Sequence, residues 1–369
     1  MKVKFLLSLF FLISFTIPSA TADTSITLTE PTHRNAAGIF IDNELATSIL
    51  RDGRLGNLVF QSSGAATYVI DIALLEEVQD LADGYQYLAV DGAAIDVPTY
   101  PAATAWLEAL KRKVKAKNLI ALPYGSPDLK FLLERAPKEL EFYQAVAQER
   151  LSAFFGASVT GANLSNLTQS SSASAAAQLI HNTYRPELRA LNSVGTASEV
   201  VALRLQLAKI INPAIANEKL TELTANLRTV LRENQKKLRI TAGNYTITAS
   251  SYDLPITLIN DYSAPLTVKL ATRASNSRII IGATAPLTID ANSQLQIKIP
   301  IQVIASGETN LELKLTNKAG AQVGEAKTVA LRLAVISPLT TWFTTGMAII
   351  LLLAAVTQSV RRVRRRTHE

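Results

Sequence analysis

Residues 67–82, TYVIDIALLEEVQDLA, decide the first half of the fold. Thr67–Asp71 (TYVID) is short, apolar and rich in β-branched and aromatic residues, so it reads as a buried strand. Leu74, Leu75, Val78 and Leu81 then recur at helical spacing, which predicts a helix over 72–82. A strand followed at once by a helix is the unit of a parallel sheet. Downstream, Pro101–Lys115 predicts an amphipathic helix, with Pro101 at its first position and Trp106, Leu107, Leu110 and Val114 on one face. Lys111, Arg112, Lys113, Lys115 and Lys117 crowd its end, which reads as a solvated cationic face or as a site for an anionic polymer. Asn118–Leu122 (NLIAL) predicts the next buried strand. The turn-rich run Pro123-Tyr124-Gly125-Ser126-Pro127-Asp128 leads into helices over 129–135 and 138–155. Upstream, 38–42 is a short apolar run, and 43–50 and 55–61 look helical. Three or four strands over 23–155 predict a partial α/β region, too short for a closed eight-stranded barrel.

Beyond it the composition changes. Residues 156–182 are rich in Gly, Ser, Asn, Thr and Ala, with SSSASAAA at 170–177, and read as a linker. Residues 183–238 read as helical. Thr196-Ala197-Ser198-Glu199 has the form of a capping box. Val200, Leu203, Leu207 and Ile210 follow at helical spacing, and Asn212-Pro213 stops that helix. Leu220, Leu223, Leu227, Val230 and Leu231 mark the next. Residues 239–337 carry about seven Ile/Val/Leu/Thr-rich runs separated by Asn, Asp, Gly and Ser. Leu295, Ile297, Ile299, Ile301 and Val303 alternate most clearly. This pattern predicts an Ig-like β-sandwich, fibronectin-like because no Cys…Trp…Cys core exists. Asn163, Asn166 and Asn244 head N-x-S/T triplets.

The two ends explain the charge. The chain has 369 residues, with 37 Lys+Arg, 30 Asp+Glu, three His and no Cys. Lys2 and Lys4, the apolar run from Phe5 to Ile17 and Ala20-Thr21-Ala22 have the form of a signal peptide over residues 1–22. Residues 338–360 are expected to be a transmembrane helix. Within them Trp342–Val360 holds no charge over 19 residues, about 28 Å at 1.5 Å per residue. Arg361, Arg362, Arg364, Arg365 and Arg366 follow in an Arg-rich tail over 361–369, and positive-inside places that tail in the cytoplasm. Setting these ends aside leaves 30 bases against 29 acids, near +1. The basic balance therefore belongs to the ends and gives no reason to expect a nucleic-acid partner.

Catalytic groups in open α/β folds sit at the carboxyl ends of strands. Asp71 ends the first strand and Asp128 lies in the loop after the second. Such a pair could act as acid and base on a glycosidic bond, and each is equally placed to cap the helix that follows it. Tyr124 could add a hydroxyl to the same crevice as a ligand contact, or be packed. No Cys nucleophile, HExxH, GxSxG, Walker loop or dinucleotide fingerprint is present. His33 and His181 read as loop residues. No metal or cofactor is expected.

The stretches YVIDIALLEEVQDLADGY (68–85), WLEALKRKVKAKNLIALPYGSPDL (106–129), LPITLINDYSAPLTVKL (254–270) and SGETNLELKLTNKAGAQVG (306–324) together resemble a known group. The first is similar to its W-V-V-D-P-A-L-L stretch and the second to its L-P-Y-x-D-P-D. The group is an uncharacterised actinobacterial family of secreted, C-terminally membrane-anchored proteins. The resemblance implies a polysaccharide-deacetylase-like α/β region, helices, an Ig-like domain and an anchor, often encoded beside a MurJ-type lipid II flippase. Ile72 stands where that pattern has Pro and Ser126 where it has its first Asp. The His pair of true deacetylases is absent. The resulting expectation is an α+β multidomain protein of the cell envelope. Its bulk would be extracytoplasmic and linked to cell-wall processes, with the lipid bilayer and an envelope protein or cell-wall glycan as partners. A non-catalytic binding or scaffold role comes first. A degenerate or carboxylate-dependent hydrolase or deacetylase is the alternative.

Overall fold

In the computed structural model the described residues are 25–62, 66–89, 91–115, 118–164, 167, 169–334 and 338–366, with side chains at the C-terminal end described over 345–359. The expected signal segment lies outside them.

Four parallel strands form the first sheet. They are β1 (Ser25–Leu28), β2 (Thr67–Ile70), β5 (Leu119–Ala121) and β6 (Thr160–Gly161), in the spatial order β1-β2-β5-β6. Each strand lies beside the next one of the sheet in chain order, so each connection crosses over by way of helices. These are α1 (Glu44–Ser48) and α2 (Arg54–Phe60), then α3 (Ile72–Asp83) and α4 (Pro101–Lys113), then α5 (Leu129–Arg135) and α6 (Pro137–Phe155). Register places Thr27, Val69, Ile120 and Thr160 in one row across all four strands, and Leu28, Ile70, Ala121 and Gly161 in the next. The second row is buried, or half-buried at Gly161. The first is exposed or half-buried. Among the described residues one face of the sheet is therefore packed under helices and the other is open.

Local chemistry sets these elements. Pro101 opens α4, Trp106 is fully buried, and its indole N–H donates to Leu55 O at 3.0 Å. The cationic end of α4 is partly engaged: Lys113 Nζ donates to Phe60 O at 2.9 Å and to Ser62 O at 2.7 Å, carbonyls at the C-terminal end of α2. Between α3 and α4 an antiparallel hairpin, β3 (Tyr85–Leu88) and β4 (Ala94–Val97), stands off the main sheet. Neither it nor β1 figures in the strand reading above. Both are only four residues long, and the hairpin is largely exposed, so no apolar run announces it.

The helical segment comprises α7 (Ala175–Asn192), α8 (Ser198–Ile210), α9 (Asn217–Thr224) and α10 (Leu227–Lys236). The first of these begins inside the stretch read as a linker, because Ser174 caps it by accepting from Ala177 N at 3.3 Å and Ala-rich sequence then propagates well. The capping box at Thr196 does not form. The N-cap is Ala197, and Glu199 instead accepts from Lys237 Nζ at 3.0 Å and Ser263 Oγ at 2.7 Å. Buried Arg204 of α8 donates through Nη2 to buried Glu139 of α6 at 3.0 Å, fastening the helices to the α/β part.

Nine strands complete the C-terminal part: β7 (Leu238–Thr241), β8 (Tyr245–Ile247), β9 (Ser251–Asn260), β10 (Leu266–Ala274), β11 (Ile279–Ile281), β12 (Leu287–Ile289), β13 (Ser293–Val303), β14 (Gly307–Thr316) and β15 (Lys327–Leu333). They make two sheets, β12-β10-β14-β15-β8 and β11-β13-β9-β7. Leu254, Ile256 and Leu258 of one sheet and Leu311, Leu313, Leu315, Val329 and Leu331 of the other are buried between them, an Ig-like sandwich held by aliphatic packing. The whole is α+β: a parallel α/β region, a helical segment and a β-rich Ig-like region. A last helix, α11, runs from Pro338 to Arg366. Among the described residues no helix is long and apolar enough to cross a membrane. The described side chains of α11 cover 15 residues, about 22 Å at 1.5 Å per residue, and Ile349, Ile350, Leu351, Leu352 and Leu353 among them are exposed.

Candidate functional site

The carboxyl ends of β1, β2 and β5 converge on the loop 123–128. Asp71 follows β2 directly and is fully buried. Its Oδ1 accepts from Ala73 N at 2.9 Å and from Gly125 N at 3.0 Å, and its Oδ2 accepts from Ser126 Oγ at 2.8 Å. Thr29 Oγ1, just past β1, donates in turn to Ser126 Oγ at 2.8 Å. Asp71 is thus the N-cap of α3 and the anchor of the 123–128 loop. Burial, opposed by these hydrogen bonds and aided by the charge of Glu77, pushes its carboxyl up to about 7. Ser126 holds a positive φ of 46° beside Gly125 at 77°, a tight turn on which both donors face one carboxyl.

Asp128 caps α5. Its Oδ1 accepts from Phe131 N at 2.9 Å and its Oδ2 from Ala173 N at 2.8 Å, both buried. Its own N–H donates to Ile211 O at 2.9 Å. Side chain and backbone of this one residue therefore tie the start of α5 to Ala173 and Ile211. Neither Asp71 nor Asp128 lines any of the cavities described below, and all their oxygens are engaged by protein donors. Tyr124 points elsewhere. Its hydroxyl donates to Glu76 Oε2 at 2.5 Å, and Arg150 Nη1 donates to Glu76 Oε1 at 2.7 Å. Burial and the neighbouring Glu76 hold the phenol well above its ordinary range. The three residues picked from sequence meet around the 123–128 loop but share no common crevice.

The sequence reading missed a buried polar network. Glu77, in the middle of α3, accepts from Thr32 Oγ1 at 2.5 Å, His33 N at 3.0 Å and Lys209 Nζ of α8 at 3.1 Å. Burial pushes its carboxyl up, but the Lys209 ammonium and these donors outweigh it and keep the group below its usual range. His33 is buried, not a surface loop residue. Its Nδ1 donates to Asp42 Oδ1 at 2.6 Å, and Glu30 lies 3.8 Å from Nε2. Burial works against the imidazolium, yet Asp42 and Glu30 prevail and raise it to about 9. His181 is also buried, on α7 against Phe131 and Tyr143. Burial and the charge of Arg185 lower it to about 3, so it is neutral. His33, Asp42 and Glu44 place ligand-type atoms within 4.8 Å of one another. Lys219 already supplies the cation there, at 3.0 Å from Asp42 and 2.5 Å from Glu44. A Glu at a buried helical position facing a Lys at another was the one signal available, and it needs the tertiary pairing to be seen.

Among the described residues three cavities touch the 123–128 loop, one of them, of about 400 Å³, bounded by Glu30, Arg54, Ser126 and Asn212. A second, of about 250 Å³, is charged and bounded by Arg34, Glu76, Glu77, Arg150 and Lys209, with Tyr124 in its wall. The third, of about 530 Å³, lies on the open face of the parallel sheet, with Ser126 at one end.

The model of a family of unknown function, DUF6049, matches residues 57–368. Parts of the chain are similar to solved structures. WR4, a C. elegans MSP family member, is 15% identical with a TM-score of 0.22, over 27% of this chain and 99% of that one. The FixG-related protein from Vibrio parahaemolyticus is 12% identical with a TM-score of 0.21, over 26% and 92%. Salmonella alpha-2-macroglobulin reacted with methylamine is 12% identical with a TM-score of 0.22, over 26% and 7%. The Ig-like assignment rests on the two sheet orders and the buried aliphatic residues between them. No curated protein matches the chain.

Proposed function

The chain belongs to DUF6049, a family of unknown function, and from its site geometry we propose a non-catalytic binding or scaffold protein of the bacterial cell envelope, anchored by α11. The signal segment directs the bulk outward, the Arg-rich tail stays in the cytoplasm, and the partner is an envelope protein or cell-wall glycan. The observation that carries the non-catalytic reading is the engagement of both strand-end carboxylates. A general acid or base must reach a substrate proton, and Asp71 and Asp128 reach only protein donors. The strand order, advancing one strand at a time, is what a piece of a deacetylase-like barrel wall would retain after losing its catalytic groups. Support for the anchor is the uncharged run Trp342–Val360 closed by arginines, together with the exposed aliphatic side chains of α11.

Protease added to spheroplasts tests the topology. The expected result is loss of the Ig-like and α/β parts with a protected C-terminal fragment, and release of the intact chain into the soluble fraction by Leu351→Arg with Leu352→Arg. A chain that stays protected, or that leaves the membrane fraction unaltered, overturns the anchored reading. For catalysis, Asp128→Asn should rescue a deletion strain in proportion to the amount of folded protein. Loss of rescue at full abundance would favour the hydrolase instead.

A further inference from the structure

We infer that the open face of the parallel sheet is a binding site for a small, uncharged amphiphile. All-parallel sheets are almost always covered on both faces. Here one face packs under α2 to α6, while the row Thr27, Val69, Ile120 and Thr160 on the other is exposed or half-buried. A cavity lies on this face. Gln169 Nε2 donates to Pro127 O and Gln169 Oε1 accepts from Leu129 N, both at 2.8 Å, so two loops are tied into one wall beside it. The enclosed volume, about 530 Å³, falls within the ~300–1,000 Å³ of small-molecule sites and suits a small molecule better than a protein surface.

Its lining fixes the chemistry. Val69, Ile120 and Leu122 make an apolar floor. Thr27, Thr29, Ser126 and Gln169 contribute hydroxyl and amide groups around it; those of Thr29, Ser126 and Gln169 already bond within the protein, while Thr27 is exposed. Among the described residues no lining side chain ionises. A charged ligand would lose hydration there without gaining a counter-charge, whereas hydroxyl or amide groups find partners. Of the neighbouring carboxyls, Glu30 beside Thr29 is paired with Arg54, and Asp71 is sealed behind Ser126 by three hydrogen bonds. The adjoining charged cleft has the opposite character, so the loop 123–128 separates two environments. The inference stands apart from the catalytic or non-catalytic reading of the strand ends and from membrane topology.

The absence of cysteine makes the test direct. Thr27→Cys and Val69→Cys each give the full chain, held in lipid nanodiscs, a single thiol on the open face. Alkylation by iodoacetamide is timed with hexyl β-glucoside, hexanoate or hexylammonium present. Hexyl glucoside should slow both thiols saturably, about fivefold at roughly four times its dissociation constant. The two ions should have little effect. Ser251→Cys on the sandwich should not respond, and adding Ile120→Trp should abolish the protection. Thr27 is exposed, so that variant folds even if Val69→Cys does not. Equal protection by the ions, or free alkylation with every additive, overturns the inference. Neither result bears on protease topology, and catalysis by Asp128 would leave the protection pattern unchanged.

Discussion

Asp71→Asn should make the α/β region more stable at neutral pH and remove a pH dependence. The folded carboxyl sits at about 7 against 3.8 unfolded. The folded state therefore holds its proton more tightly than the unfolded state does. For a raised carboxyl, stability is complete below the unfolded value and is lost as pH climbs toward the folded one. A gap of about three units at about 1.4 kcal/mol each amounts to roughly 4 kcal/mol lost between pH 4 and 7. Asparagine mimics the protonated acid. Its Oδ1 keeps both the Ala73 and Gly125 N–H donors, and its amide donates to Ser126 Oγ. The assay is urea unfolding from pH 4 to 8, followed by Trp106 fluorescence in a Trp342→Phe background so that one buried indole reports. The difference between variant and parent cancels the other titrating groups. It should move in favour of asparagine by several kcal/mol across that window and flatten above pH 7. A difference that is constant with pH, or that moves the other way, refutes the argument, because the carboxylate would then be the form the fold prefers.

Other consequences are as direct. Lys209→Met leaves Glu77 as a buried charge without its cation and should cost about 3–5 kcal/mol in denaturant unfolding, while Lys209→Met with Glu77→Gln should cost less than the single change. His33 should titrate near 9 by NMR. Its stabilisation is present below its unfolded value of 6.5 and is lost as pH rises toward 9, so His33→Gln should cost least stability above that window. At Gly125, φ is +77° and an added Cβ would meet Lys209 N and Cγ at 2.9 Å, so Gly125→Ala should loosen α8 and speed amide exchange there more than in the sandwich.

The chain's periodicities made much of the fold legible. Leu74, Leu75, Val78 and Leu81 predict α3 because a helix buries one stripe, and Ile256 and Leu258 predict a strand because a sheet buries one face. The helix at 175 was hidden because its first turns follow a Ser-rich run and their small Ala side chains make no apolar stripe to announce it. The box at Thr196 misled because Glu199 has better partners in Lys237 and Ser263 than in the local backbone. At the site, Asp71 and Asp128 were legible as residues of consequence, since an Asp between strand and helix either caps or reacts. Deciding between the two needed Gly125 N, Ser126 Oγ and Ala173 N, which lie 54, 55 and 45 residues away along the chain. His33 and Lys209 were illegible for the same reason, since each acquires its meaning from Asp42 or Glu77 across the fold.

Those distant partners also explain why the region can stand as a four-stranded sheet. A parallel sheet exposes polar backbone and loop groups at its strand ends, which an enzyme reserves for substrate. In this chain α8 closes over them. Lys209 reaches Glu77, Asn212 Nδ2 donates to Gly125 O at 2.9 Å, and Ile211 O receives the Asp128 N–H. Each contact satisfies a buried group whose loss would cost about 1–3 kcal/mol, and more where it is charged. The strand ends are therefore the seam between the α/β region and the helices. Widening them into a catalytic cleft would unfasten the two, whereas the open sheet face can receive a ligand without breaking any of these bonds.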